Sequence, residues 1–351
     1  MSFRIFALLI LAALGLSLVA DDYWYNAILI PFLTLALAGL GLNILTGFAG
    51  QLSLGSAAFM AVGAFAAYNF QLRVPGLPLL ASFALGGLTA SLVGIAFGLP
   101  SLRIKGFYLI VSTLAAQFFV QWALTKFPWF SNDNPSGVIT APRLIVAGHD
   151  FSSPSGRYFL TLGVVAALTL AAHNLLRSPT GRRFMAVRDM ETAARVAGVP
   201  VFRTKLLAFA VSSFYCGVAG VLWAFCYLGT VEPHGLDLTR SFQVLFIIII
   251  GGLGSVLGSF LGAAFIVLLP VLLDHVARGV LSGSLEAGNL ENAQKLVFGS
   301  LIVLFLIKEP EGLARLCAVT LQLVRQRLRP RLVALFAARA QRAAGTAKIF
   351  P

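Results

Sequence analysis

The chain has 351 residues, of which 58% are hydrophobic and only 11% charged. A soluble domain carries charge on roughly a quarter of its residues, so this composition excludes one and indicates an all-α polytopic membrane protein. The net charge of +13 would suggest nucleic acid in a soluble protein, but here it marks basic loops beside anionic lipid, and no nucleic-acid partner is expected.

The first apolar run, Ile5 to Ala20, follows Arg4. Leu18 is too large for the small-residue pattern of a signal cleavage site, so a retained helix over 4–20 is expected. Further spans are predicted over 26–46, 53–70, 78–99, 106–124, 158–176, 205–228, 241–251, 255–273 and 294–308. That makes about ten transmembrane helices.

Between the second and third spans runs a glycine-rich cluster, Gly41 to Phe59. Asn43, Gln51 and Ser53 are polar positions at or near the membrane edge there. They either face a substrate or bond across helices, and both readings stand open. The loop 125–157 carries Trp129, Asn132, Asp133, Asn134, Pro135 and Gly137. It is rich in turn formers and long for a connector.

The loop 177–205 is basic and amphipathic. Pro179 suits a helix start, and Gly198 followed by Pro200 suits a stop. Between them Phe184, Val187, Met190, Ala194 and Ala197 can share one helix face, and Arg188, Glu191 and Arg195 another, with Glu191 placed for an i,i+4 pair to Arg195. Ala193 and Ala194 are small enough for a partner surface to come close. The segment reads as a single helix over 182–198, either lying on lipid headgroups or gripped by a partner.

The stretch 241–273 is long for one span and short for two, with Gly251, Gly252, Gly254 and Gly258 in its middle. Read as a hairpin, it places 19 of the 26 basic residues on the cytoplasmic side, as the positive-inside rule requires. Both termini are then cytoplasmic. The spacings Gly94/Gly98 and Gly254/Gly258/Gly262 suit close helix packing. The break around Gly251, Gly252 and Gly254 also suits non-helical backbone beside a transport path. Residues 1–312 form the membrane domain and 313–351 a basic cytoplasmic tail. Leu328, Leu332, Leu335 and Phe336 suit that tail to the inner leaflet.

All 13 carboxylates lie in loops or at span ends. An intramembrane carboxylate usually marks moving protons or ions, so a proton-coupled carrier is disfavoured, while sodium coupling through backbone carbonyls stays open. The three cysteines and four histidines show no metal-ligand spacing, and neither a metal site nor a catalytic residue is expected. No Gly-x-x-x-x-Gly-Lys-Ser/Thr phosphate loop occurs in the sequence.

Four pieces in this order resemble the bacterial branched-chain amino acid ABC permeases of the LivM/LivH family, and the LivM branch more closely. They are Gly41–Phe59, Pro100–Tyr108, Gly181–Gly198 and Gly251–Ser255. Ala193, Ala194 and Gly198 match the family's coupling motif; Thr192 stands where its acidic residue often sits, with Glu191 one place earlier. The resemblance implies a permease subunit of an ATP-driven importer in a bacterial inner membrane. Its partners would be a second, LivH-like permease subunit, two ATP-binding subunits that use ATP and magnesium, and a periplasmic substrate-binding protein. No cofactor would be bound by this chain. It further implies ATPase coupling through Arg188, Asp189, Glu191, Ala193, Ala194 and Gly198. A translocation path is expected along Asn43, Gln51, Ser53, Gly251, Gly252 and Gly254, and the loop 125–157 either docks the binding protein at Asn132, Asp133 and Asn134, caps the pathway or is a passive ordered connector. The alternatives are a permease of the same fold for a sugar, nucleoside or urea, and an ion-coupled secondary carrier.

Overall fold

A computed structural model describes residues 21–101, 107–134, 137–146, 148–280 and 312–317, with isolated positions at 296, 299, 300, 303 and 319. The predicted span 4–20, nearly all of 294–308 and the tail beyond 319 lie outside the described residues.

Helix α1 (Asp22–Phe48) is the axis of the bundle. Its run from Ile30 to Leu45 has only Thr34 and Asn43 as polar side chains, and both are fully buried. A helix apolar on every face is stable only when surrounded. Along the chain follow α2 (Ser56–Arg73), α3 (Leu79–Ser101), α4 (Phe107–Lys126), α5 (Pro154–Arg177) and α8 (Val201–Leu222), the last continuing in a π-helical stretch, Trp223–Leu228; of these α5 and α8 pack most on α1, and α3 packs on α2 and α8. Two short helices, α6 (Pro179–Asp189) and α7 (Glu191–Val196), connect α5 to α8. Helices α9 (Leu238–Gly251) and α10 (Val256–Val280) complete the described part.

Among the described residues, five helices are long and apolar enough to cross a membrane, and the apolar stretch Val256–Leu272 is shorter. Helices α2 and α4 occupy predicted span positions but are more polar, because they carry Asn69, Gln71 and Arg73, and Gln117 and Gln121. The protein is a helical polytopic membrane protein.

The helices approach to backbone contact where glycine removes the side chain. A Cβ on Gly63 would lie 2.3 Å from the Gly217 carbonyl oxygen, and one on Gly220 would lie 2.0 Å from that of Met60. In hydrocarbon, association rests on such packing rather than on water release. The predicted hairpin is present: α9 and α10 meet so closely that a Cβ on Gly262 would stand 1.9 Å from the Ile247 carbonyl oxygen.

The connections gather at opposite ends of the bundle. At one end lie the segment after α1, the α6–α7 connection and the α9–α10 turn, joined by the contacts described below. At the other, Arg73 Nη2 donates to the Trp129 carbonyl at 2.8 Å with its guanidinium stacked 3.5 Å over the Trp129 ring. At that end Ile139–Thr140 also pairs antiparallel with Thr230–Val231, and Ile145–Val146 with His149–Asp150. These two-residue strands amend the all-α expectation. Backbone outside helices needs partners of its own, and here strand pairing supplies them.

Candidate functional site

The α6–α7 connection begins where the sequence indicates. Ser178 caps α6, its Oγ accepting from the Thr180 amide at 3.2 Å, and Pro179 fills the first helical position, where no amide donor is needed. The end is equally specific. The Val199 amide donates to the Ala194 carbonyl at 2.9 Å and the Gly198 amide to that of Arg195 at 3.1 Å, with Gly198 at φ +81. This pair of bonds is a Schellman motif, which needs a left-handed residue at that position.

The single helix expected over 182–198 is instead two. Met190, at φ −156 and ψ 94, closes α6 and opens α7. The break puts Glu191 at the start of α7, where a carboxylate meets the positive end of the helix dipole. From there Glu191 pairs with Arg195 at 3.2 Å, the predicted i,i+4 contact, and with Lys205 of α8 at 2.7 Å. The predicted apolar face is therefore divided. Phe184, Val187 and Ala194 are buried, and Val187, Ala194 and Val201 form a small cluster of their own. Met190 is 64% exposed and Val196 91% exposed, and Ala193 and Ala197 are exposed with them.

Arg188 points the other way, into the bundle. Its Nη1 donates to the Gly47 carbonyl at 2.9 Å, near the end of α1, while Nε donates to Asp189 at 2.8 Å. A Cβ on Gly50 would meet Arg188 Cγ at 3.0 Å, and one on Gly254 would meet Nη1 at 3.3 Å. The guanidinium thus sits between the end of α1 and the α9–α10 turn.

Asn43 joins the same two elements from within. Its Nδ2 donates to the Ser255 carbonyl at 2.9 Å and to Ser259 Oγ at 3.0 Å, and its Oδ1 accepts from the Gly254 amide at 2.9 Å. Of the two readings of Asn43, the cross-helix bond is the one the geometry supplies. The turn it holds lies at Gly252–Ser255, with Gly252 at φ +115 and Gly254 at φ +74. Gly251 and Gly252 are buried and Gly254 half-buried. Gly312, at φ +72, packs on this turn so tightly that its Cβ would lie 2.6 Å from Gly252 Cα. The segment 312–317 therefore starts at the same end of the bundle as α6 and α7.

Gln51 and Ser53 are 4% and 2% exposed. The Ser53 hydroxyl accepts from the Gly55 amide at 3.3 Å, a local turn, whereas the buried amide group of Gln51 has no partner among the described residues. Beyond them α2 starts inside the bundle, with its first donors satisfied by distant side chains. Ala57 N–H donates to Ser241 Oγ at 2.9 Å and Ala58 N–H to Gln117 Oε1 at 2.6 Å. Gln117 Nε2 in turn donates to the Leu236 carbonyl at 3.1 Å. Gln117 is visible in the sequence as a polar position within a span; its role as a cap is not, because its partners lie on other helices.

At the opposite end, Asn132 and Asp133 follow the short helix Pro128–Ser131 in left-handed conformation, at φ 55 and φ 57. Both are exposed, and Asn134 is exposed beside them, its Nδ2 donating to the Val138 carbonyl at 2.6 Å. Further along, hydrogen bonds from the Ser152 hydroxyl and amide hold the exposed Asp150 carboxyl below its ordinary pKa, with Arg143 adding a weaker pull. Among the described residues, no cluster of three His, Cys, Asp or Glu side chains could hold a metal ion.

Comparison with known proteins adds an independent line. The sequence profile described as "branched-chain amino acid transport system / permease component" matches residues 25–306. The high-affinity branched-chain amino acid transport system permease protein LivM of Escherichia coli K12 is 32% identical over 300 residues, covering 78% of this chain and 66% of LivM. The chain thus spans just under two thirds of that relative. The autoinducer 2 import system permease protein LsrC of Enterobacter sp. strain 638 is 30% identical over 222 residues, 61% of this chain and 60% of LsrC. The L-arabinose transport system permease protein AraH of Escherichia coli K12 is 28% identical over 166 residues, 46% of this chain and 44% of AraH. No solved structure gives a significant match.

Proposed function

Because the chain belongs to the branched-chain amino acid transport system permease family, we propose that it is the LivM-like membrane subunit of an ATP-driven importer that moves a branched-chain or related amino acid across a bacterial inner membrane. In this reading about ten helices span the bilayer and both termini are cytoplasmic. The α6–α7 elbow faces the cytoplasm and receives an ATP-binding subunit. A LivH-like permease pairs with this chain, two ATP-binding subunits consume ATP with magnesium, and a periplasmic binding protein delivers the solute near Asn132, Asp133 and Asn134.

The observation that carries this reading is the uncovered apolar surface of the elbow. Met190 and Val196 stand clear of the bundle, with the small Ala193 between them on the outer surface of α7. Such residues gain by being covered, by lipid headgroups or by a partner, and in this reading a partner subunit covers them. Arg188, Asp189 and Glu191 tie the elbow to itself and to α8, so a push on its outer face is passed on rather than absorbed.

Gly198→Asp tests the elbow. The side chain would point into open space where the partner approaches, and its φ of +81 disfavours any residue with a Cβ. Uptake is expected to disappear while the protein stays in the membrane; full uptake would remove the coupling role.

A second reading concerns the solute alone. Relatives named for autoinducer 2 and L-arabinose import align with 61% and 46% of this chain, which supports a sugar-like cargo as the alternative. A thermal-shift screen of the cognate binding protein separates the two, with stabilisation by leucine, isoleucine or valine expected and stabilisation by sugars alone overturning the amino acid assignment.

A further inference from the structure

We infer that Arg188 is the positioning residue through which motion of the α6–α7 elbow reaches the α9–α10 turn, rather than a residue that touches the ATP-binding subunit. The inference rests on the coupling role proposed above and specifies its route.

Three observations place Arg188 inward. Its Nη1 bonds to the Gly47 carbonyl at 2.9 Å. Its side chain fills the space that a Cβ on Gly50 or Gly254 would need. Its side chain is 36% exposed, the rest being covered in part by the end of α1 and by Asp189.

The partner that Arg188 grips is itself joined to the turn. Gly47 lies one helical turn beyond Asn43 in α1, and a Cβ on it would stand 1.9 Å from Asn43 Oδ1 and 2.3 Å from the Gly254 amide nitrogen. Asn43 in turn holds Gly254, Ser255 and Ser259 through the bonds already described. A displacement of α6 by an ångström therefore cannot leave this group in place. The guanidinium must release the carbonyl, or the carbonyl must follow.

The chemistry suits a load-bearing joint. A carbonyl held by a guanidinium is a charge-assisted bond, stronger than a neutral one. The Gly252–Ser255 turn interrupts the helical ladder: the Gly252 amide still donates to the Ile248 carbonyl at 3.0 Å, but the Gly254 amide goes to Asn43, and Gly252 at φ +115 and Gly254 at φ +74 hold backbone conformations that side chains disfavour. Arg188 thus links the elbow to the break in the hairpin's helical backbone. Packed elements connected in this way switch between discrete arrangements rather than deform smoothly.

The test uses the full transporter with its ATP-binding subunits in lipid nanodiscs. Spin labels are placed singly at Val196, on the elbow, and at Leu253, in the turn, where 51% exposure leaves room. Their mobility is compared with magnesium-ATP and with ADP, in the parent protein and in Arg188→Ala. In the parent both labels respond. In Arg188→Ala the ATP-binding subunits still co-purify and Val196 still responds, the Leu253 response is lost, and uptake falls about ten-fold, an ordinary allosteric coupling.

An undiminished Leu253 response in Arg188→Ala overturns the inference. Loss of subunit association in Arg188→Ala also overturns it, because Arg188 would then belong to the interface. Silence of Val196 in the parent protein overturns the coupling role of the elbow itself, a different failure. Where Arg188→Ala does not accumulate, Arg188→Lys keeps the cation and loses the planar donor. The same two labels are then read in it, with a weakened Leu253 response expected and an unchanged one refuting the route.

Discussion

Lys205 Nζ lies 2.7 Å from Glu191 Oε2, so α8 is tied to α7 across the turn that Gly198 makes possible. The pair is half-shielded, with side-chain exposures of 21% and 33%. Exposed ion pairs contribute about 0–1 kcal/mol, and this one lies at or slightly above the upper end of that range because water reaches it only partly. Glu191→Gln is expected to lower the thermal stability of the purified protein slightly and to lower uptake further than stability alone explains. The charge-swapped double variant Glu191→Lys with Lys205→Glu is expected to regain part of both. Equal stability in Glu191→Gln and parent would show that the pair does not hold the elbow.

Gly198 separates backbone conformation from bulk. A Cβ there meets nothing within 4 Å, so the obstacle to substitution is the φ of +81 and not a clash. Asparagine tolerates that conformation better than alanine. Gly198→Asn is therefore expected to keep more stability than Gly198→Ala, which should lose about 1 kcal/mol. Thermal unfolding of both variants in detergent measures the difference, and a reversed order would mean that the turn rearranges.

Asn43 spends its whole amide on the α9–α10 turn. Asn43→Leu would leave the Gly254 amide, the Ser255 carbonyl and the Ser259 hydroxyl without this partner, each at a cost of about 1–3 kcal/mol where water cannot replace it. A large drop in stability or membrane yield is expected. Asn43→Asp keeps an acceptor for Gly254 and should fall between parent and Asn43→Leu. A stable, transport-competent Asn43→Leu would show that the turn is held by helix packing alone.

Much of this arrangement is legible along the chain. Hydrophobic runs locate α1, α3, α5 and α8 because a bilayer leaves few other uses for them. The cluster Gly251, Gly252 and Gly254 marks the hairpin turn because Gly252 and Gly254 take positive φ values that favour glycine and Gly251 packs directly on the Gly258 backbone. Pro179, Gly198 and the Glu191–Arg195 spacing mark the α6–α7 segment because caps and i,i+4 pairs are local. What is not legible is direction around a helix axis. Arg188 reads as one more charge on a basic face, and only the fold shows it turned toward Gly47, 141 residues away. Asn43 meets Ser255 across 212 residues, and no local pattern encodes that pairing. The break at Met190 is equally hidden, because neither glycine nor proline marks it.

Asn132 and Asp133 offer the last prediction, at the other end of the bundle. Two consecutive exposed residues in left-handed conformation make an unusual turn, which Asn and Asp adopt more readily than most residues. The turn is held from below: the Asp133 amide donates to the Pro128 carbonyl at 2.9 Å and Arg73 grips the Trp129 carbonyl. A rigid, outward-facing polar turn suits rigid-body recognition, since little ordering entropy is lost on contact. If the binding protein docks here, Asp133→Lys should raise the concentration of loaded binding protein needed for half-maximal uptake, without changing membrane yield. Because Asp133 is exposed, the effect should act on encounter and weaken as salt rises. Uptake that is indifferent to Asp133→Lys at both low and high ionic strength would move the docking surface elsewhere on that end, with the paired strands Ile139–Thr140 and Thr230–Val231 the next segments to probe.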